Sequence, residues 1–208
     1  MQIWFELCRR YGVDEILINV HSHGDAVRKF IETNKAELGV LLFEEPTLLG
    51  SAGTVLANQD WVRNEKSFWV FYADVLTTAN LNRMRAFHDS HDQIATIGVY
   101  EVPDPSRCGI VQVDEKDVVR DFVEKPKAPI GNLAFSGLML ATPSFLDVIP
   151  RTLPADLGFH ALPLAVGQMA AYRLQDFLID VGTLETYQIA QRMWPGLSQT
   201  HERGDLIV

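Results

Sequence analysis

Short apolar runs alternate along this chain with stretches whose apolar residues recur at helical spacing. From Gln2 to Tyr11, Ile3, Trp4, Leu7 and Cys8 follow that spacing and Gly12 comes next, which predicts a helix at the start. Glu15 to Val20 reads as a buried strand, Ala26 to Thr33 as a helix and Val40 to Phe43 as a second strand. A helix over Thr54 to Val62 is entered from the turn Gly50-Ser51-Ala52-Gly53. Phe68 to Tyr72 is the third strand, and a helix over Leu81 to Ser90 leads to a strand over Ile94 to Val102. This alternation predicts an α/β fold built on a Rossmann-like, mostly parallel sheet layered by helices.

After Pro103 the pattern shortens. Gly109 to Asp114 and Val118 to Val123 alternate around the acidic turn Glu115-Lys116-Asp117, a hairpin signal that adds a small β-hairpin subregion. Leu133 to Ala141 predicts a strand, Ala161 to Met169 a helix, Ala171 to Leu174 a strand and Thr183 to Met193 the last helix. We expect one domain over residues 1–195 and a loosely held tail over 196–208.

The composition is that of an ordinary globular domain, with 208 residues, 47% hydrophobic and 22% charged. With 27 acidic and 18 basic residues and a net charge of −9, no basic stripe is available to hold a nucleic-acid backbone, so nucleic acid is not an expected partner. Cys8 and Cys108 provide neither a disulfide framework nor a Cys-x-x-Cys spacing, and a reduced, cytoplasmic compartment is the expectation. No apolar stretch is long enough to span a bilayer and the amino end lacks the signature of a signal peptide, so no membrane partner is expected.

Two aspartates stand out. Asp74 follows the apolar run Phe68 to Ala73, and Asp180 follows Phe177-Leu178-Ile179. Carboxylates at strand ends in an open α/β sheet sit where ligands gather, and two of them suit Mg²⁺, which takes hard oxygen ligands together with substrate phosphates. Each would equally serve as a cap for the helix that follows. The turn from Leu49 to Thr54 offers glycines and a helix N-terminus to an anion, or else simply needs glycine for its geometry. In Glu124-Lys125-Pro126, the lysine can pair with a phosphate and the glutamate can accept from sugar hydroxyls; the alternative is a surface ion pair. His21 and His23 lack a third metal ligand and read as loop residues, and His88 and His91 read as lying on a solvated helix face.

Read in order, six blocks resemble the sugar-phosphate nucleotidyltransferases. They are Leu49 to Thr54, Ala73 to Thr77, Asp104 to Val111, Val123 to Pro126, Asn132 with Ser136-Gly137, and Asp180 to Thr183 with Tyr187. The likeness is greatest to the mannose- and heptose-1-phosphate guanylyltransferases, and it extends from Gln2 to about Pro195.

The resemblance implies a sheet with helices on both faces and the union of a nucleoside triphosphate with a sugar 1-phosphate, giving a nucleotide sugar and pyrophosphate. It implies that Gly50, Ala52 and Gly53 lie against the nucleotide base and that Asp74 and Asp180 hold Mg²⁺. Gly109, Glu124, Lys125, Asn132 and Gly137 would form the sugar side, with Asp74, Lys125 and Asp180 carrying the chemistry. Here Ala73 stands where the family commonly has glycine, and Cys108 where it often has tyrosine. The family's opening strand, its glycine-rich loop with an arginine and its Lys-Pro segment have no counterpart in these residues, which begin at the family's first long helix. Residues 1–208 alone are therefore expected to turn over near background. The alternative is a non-catalytic binding or regulatory module that keeps the sugar-phosphate pocket. The oligomeric state is left open, with pairing into a homo-oligomer through an exposed sheet edge as one expectation.

Overall fold

The computed structural model describes residues 1–34 and 38–197, so most of the expected tail lies outside the described residues. The chain gathers into two compact units. The first draws on Met1–Glu44, Tyr72–Leu81 and the chain from Gln175, and the second on Glu45–Phe71 and Asn82–Leu174.

In the first unit, α1 (Gln2–Arg10), β1 (Glu15–Val20), α2 (Gly24–Asn34) and β2 (Gly39–Glu44) follow the apolar periodicity closely. Strands β1 and β2 pair in parallel, Glu15 opposite Gly39 through Val20 opposite Glu44. One face of this ribbon presents Ile16, Ile18, Val40 and Leu42, and against it pack Phe5 of α1 and Val27, Phe30 and Ile31 of α2. Period two in the strands and period 3.6 in the helices place these side chains together. The unit closes with β4 (Val75–Thr77) and β10 (Leu178–Asp180), an antiparallel pair, and with α6 (Leu184–Met193). Thr183 caps α6 in a reciprocal box: its hydroxyl accepts from the Thr186 N–H at 3.1 Å and its own N–H donates to the Thr186 hydroxyl at 3.3 Å.

The second unit holds α3 (Ser51–Ala57), α4 (Gln59–Val62), β3 (Phe68–Phe71), α5 (Leu81–His88, from its second residue) and β5 (Ala95–Glu101). It continues through β6 (Gly109–Val113), β7 (Val119–Glu124), β8 (Leu133–Ala141) and β9 (Met169–Arg173). The sheet runs β7-β6-β8-β5-β9, with β3 also paired to β8. β8 and β5 are buried along nearly their whole length, and Ile97, Leu138, Met139, Leu140, Leu157 and Met169 are fully buried. Strands covered on both faces lose the polar-apolar alternation, which is why these read as continuous apolar runs.

The α/β class stands, and the pairing is more mixed than expected. Parallel pairs are β1 with β2 and β5 with β9, whereas β8 runs antiparallel to β3, β5 and β6. Apolar runs report burial but carry no strand direction. The predicted hairpin is present, with Gly109 opposite Glu124. The predicted helix over Ala161 to Met169 is absent. A π-type turn over Leu157–Ala161 and a 3-10 turn over Leu162–Ala165 occupy that stretch, and Met169 already begins β9. Val166 leaves the helical region at ψ 134° and Gly167 takes φ +83°, so the backbone cannot continue as a helix to Met169.

Candidate functional site

Asp74 and Asp180 meet within the first unit, by a route that differs from the one the sequence suggested. Asp74 lies in the turn between β3 and β4, not at a strand end, and Asp180 ends β10. Because β10 runs antiparallel to β4 with Asp180 opposite Val75, the residue before β4 and the last residue of β10 become neighbours. The Val181 N–H donates to the Asp74 carbonyl at 2.7 Å. Oδ1 of Asp180 accepts from the Gly182 N–H at 2.6 Å. A Cβ on Gly182 would stand 2.8 Å from Asp180 Oδ1 and 3.6 Å from Asp74 Oδ2, so both carboxylates border the space this glycine leaves open.

Among the described residues no lysine or arginine pairs with either aspartate. Burial, and then the charge of Asp180, push the Asp74 carboxyl above its ordinary range. Two hard, mutually repelling oxygen donors fit a divalent cation such as Mg²⁺. No third acidic, histidine or cysteine ligand joins them among the described residues, which leaves the remaining positions to water or phosphate.

In the second unit, Gly109, Glu124 and Lys125 come together across the β6–β7 hairpin. Gly109 faces Glu124 in the ladder, and the Lys125 N–H donates to the Cys108 carbonyl at 2.9 Å. A Cβ on Gly109 would lie 2.6 Å from Glu124 Oε2, and one on Gly158 would lie 2.4 Å from the same oxygen. Two glycines from different elements thus flank this carboxylate. No hydrogen bond to it is found among the described residues. Burial raises the Glu124 carboxyl above its usual range; Lys125 opposes the rise and Asp156 adds to it.

Lys125 adopts φ of +49°, the left-handed region that a side chain with a Cβ enters at some energetic cost, and its Nζ stands 5.8 Å from the centre of the Phe159 ring. Asn132 is exposed just before β8, where its carbonyl accepts from the Val102 N–H at 2.9 Å. No hydrogen bond joins its side chain to Glu124 or Lys125 among the described residues. Gly137, at φ +79°, is buried in β8 where the register with β5 shifts between Ile97 and Val99. Gly98 makes room for that irregularity, since a Cβ there would be 2.6 Å from the Ser136 hydroxyl. Bulges of this kind commonly re-aim side chains near sites.

Gly50, Ala52 and Gly53 have a structural duty in the same unit. The N–H groups of Ala52 and Gly53 donate to the Ala155 carbonyl at 3.0 and 2.9 Å, and a Cβ on Gly50 would come 2.3 Å from that oxygen. The close backbone approach that the glycines permit is made by the chain itself. Buried Glu45 pins the turn further, accepting from the Leu49 N–H at 3.2 Å and from the Thr54 hydroxyl. Glu45, Ser51, Asp156 and Gly158 were not singled out by the sequence. The one available signal was a glycine and an aspartate interrupting the apolar run around Leu157.

A profile of the family described as Nucleotidyl transferase matches residues 1–194. Mannose-1-phosphate guanylyltransferase 1 of Arabidopsis thaliana is 30% identical over 196 residues, covering 91% of this chain and 54% of that protein. The mannose-1-phosphate guanylyltransferase catalytic subunit beta of Xenopus tropicalis is 31% identical over 177 residues, 82% of this chain and 49% of its own. The chain thus spans about half the length of these curated relatives. Among solved structures, HddC from Yersinia pseudotuberculosis aligns with a TM-score of 0.75 at 21% identity, over 91% of this chain and 83% of that one. A putative glucose-1-phosphate thymidylyltransferase from Bacillus anthracis aligns with a TM-score of 0.79 at 17% identity, over 92% and 81%. The profile and the two relatives carry the family and the two solved structures the fold: the chain belongs to the nucleotidyl transferase family.

Proposed function

We propose that this chain provides the sugar 1-phosphate and metal-binding residues of an enzyme that transfers a nucleotidyl group from a nucleoside triphosphate to a sugar 1-phosphate, giving a nucleotide sugar and pyrophosphate. GTP and mannose 1-phosphate are the substrates to try first, because the relatives' names give mannose 1-phosphate and a guanylyl group. The observation that carries the reading is the meeting of Asp74 and Asp180, neither of which pairs with a lysine or arginine among the described residues. Bound there, Mg²⁺ would neutralise charge on phosphate oxygens. Lys125 would pair with the sugar phosphate, and Glu124 would accept from sugar hydroxyls. The attacking phosphate oxygen is already ionised at neutral pH, so these side chains serve by positioning and charge compensation and no general base is required.

A second reading, a non-catalytic module for sugar phosphates or nucleotide sugars, is favoured by one observation. The amides of Ala52 and Gly53 already donate to Ala155, which leaves the Gly50 turn without those donors for a ligand. Calorimetry with mannose 1-phosphate, run beside a pyrophosphate-release assay with GTP and Mg²⁺, separates the two. The assay is run on residues 1–208 and on the same chain joined to a glycine-rich loop segment of the kind the family carries. Binding with turnover in either supports the enzyme, binding without turnover in both supports the module, and no binding removes both.

A cytoplasmic location rests on Cys8 and Cys108, neither of which forms a disulfide among the described residues. No helix among the described residues is long and apolar enough to cross a membrane. Self-association is proposed through the strand edges of β1 and β3, each of which has a single strand partner among the described residues.

A further inference from the structure

Residues 155–159 are neither strand nor regular α-helix, yet they touch both the Gly50 turn and the Glu124–Lys125 pair inside the second unit. At one end, Ala155 accepts from the Ala52 and Gly53 N–H groups and donates its own N–H to the Leu49 carbonyl at 2.8 Å. Next, the Ser51 hydroxyl donates to Asp156 Oδ2 at 2.9 Å and accepts from the Leu157 N–H at 2.8 Å. The other carboxylate oxygen of Asp156 accepts from the Phe159 N–H at 3.1 Å, and the Asp156 N–H donates to His160 Nδ1 at 2.9 Å. At the far end Gly158 lies against Glu124, and the Phe159 ring faces the Lys125 ammonium.

We propose that residues 155–159 form a positioning strap, tied to the Gly50 turn through Ser51 and Asp156, that sets where the Glu124 carboxylate and the Lys125 ammonium meet a sugar 1-phosphate. The proposal deepens the nucleotidyltransferase reading and rests on it. Gly158 is the residue that determines the space. Its missing Cβ would fall 2.4 Å from Oε2 and 2.8 Å from the carboxyl carbon of Glu124, so any side chain there displaces the carboxylate. Phe159 acts on the cation instead. The residue is 54% exposed, so the placement of its ring follows from the pinned backbone at Asp156 more than from burial, and it gives the lysine a face to rest on. Asp156 has a further effect through its charge, which opposes ionisation of Glu124. The strap therefore governs both the position and the protonation of the group that would read sugar hydroxyls.

The test compares the parent chain with Gly158→Ala, Ser51→Ala, Phe159→Leu and Phe159→Tyr. Two readouts are taken: the Glu124 side-chain titration by carbon-detected NMR without ligand, and calorimetry with mannose 1-phosphate and with inorganic phosphate. Gly158→Ala should move the Glu124 titration and weaken mannose 1-phosphate by about tenfold or more, since small misplacements of a contacting group are costly, while inorganic phosphate changes by less than about twofold. Ser51→Ala adds no atom and should move the same titration in a chain that folds normally. Phe159→Leu should weaken both ligands, and Phe159→Tyr should restore them. An unmoved Glu124 titration in both Gly158→Ala and Ser51→Ala overturns the strap, whatever binds. If the parent binds no mannose 1-phosphate while those titrations do move, the sugar-phosphate reading falls and the strap stands as the element that places Glu124.

Discussion

The main-chain N–H of Val181 donates to the carbonyl of Asp74 at 2.7 Å, so the segments carrying the two candidate metal ligands are joined backbone to backbone. The carboxylates are thereby held near each other even though they repel. That repulsion contributes to the raised Asp74 carboxyl, after burial.

The first prediction concerns this pair. A carboxyl raised in the folded state stabilises the fold at pH below its unfolded value, and that contribution is lost as the pH climbs through the folded value. Above its folded value the charge on Asp74 therefore opposes folding. Asp180→Asn should raise the melting temperature of the metal-free chain by roughly 2–4 °C, the shift expected for about 1 kcal/mol in a domain of this size, with solvent screening holding it near or below that. Mg²⁺ should stabilise the parent and leave the variant unmoved. Thermal melts with and without the ion decide it, and equal Mg²⁺ responses would sink the assignment.

Lys125 supplies a prediction that separates backbone strain from binding. Its φ of +49° disfavours any residue with a Cβ. Lys125→Gly and Lys125→Ala both delete the side chain, so the glycine variant should be the more stable of the two by about 1 kcal/mol in denaturant melts. Both should lose mannose 1-phosphate affinity, whereas Lys127→Ala should keep it. Equal losses from Lys125→Ala and Lys127→Ala would count against the pocket.

Gly50 offers a sharper steric test. At φ +79°, with a Cβ position 2.3 Å from the Ala155 carbonyl oxygen, alanine cannot be placed without moving one of two backbones. Gly50→Ala should destabilise the chain by several kcal/mol or prevent it from folding, as overpacking and left-handed strain combine. Gly131→Ala, with φ +103° but open space around it, isolates the strain alone and should be the milder change. Circular-dichroism melts of the two variants would show the order, and a reversed order would refute the clash.

A buried histidine relay predicts a loss of stability in acid. The sequence suggested that His88 and His91 lie on a solvated face, but His88 is only 4% exposed. The Gln93 N–H donates to His91 Nδ1 at 3.1 Å, so neutral His91 carries its proton on Nε2 and donates to the Thr96 hydroxyl at 3.1 Å. The Thr96 hydroxyl also lies 2.8 Å from His88 Nδ1, where it donates or accepts according to the His88 tautomer.

Protonating His91 places a donor against the Gln93 N–H, and protonating His88 puts a charge in a buried site. Burial lowers both histidines, with His91 and Lys66 adding to the fall at His88 and Asp89 opposing it, while Asp92 opposes it at His91. A histidine depressed in the folded state binds fewer protons than its unfolded form. Stability should therefore hold above about pH 6.5 and fall as the pH drops below that toward the depressed values. Thr96→Val should cost roughly 1–3 kcal/mol at about pH 7.5 by orphaning both rings. Urea melts across this range would show a flat profile if the relay were absent.

Local pattern alone was enough for much of this molecule. The spacing of Ile3, Leu7 and Cys8 and the runs over Glu15 to Val20 and Phe68 to Tyr72 yield the right elements, because helix and strand periodicity depend only on neighbours along the chain. The ordered blocks from Leu49 to Tyr187 likewise point to the family without any coordinates. Strand direction, by contrast, is a property of pairs. Only the tertiary structure shows that β8 runs antiparallel to its neighbours and that Asp74 meets Asp180 through an antiparallel ribbon. The same holds for Ala155 filling the Gly50 turn, for Gly158 setting the position of Glu124, and for His88 being buried against Thr96. Each joins residues on separate elements, and the free energy that fixes it comes from contacts which no window of sequence contains.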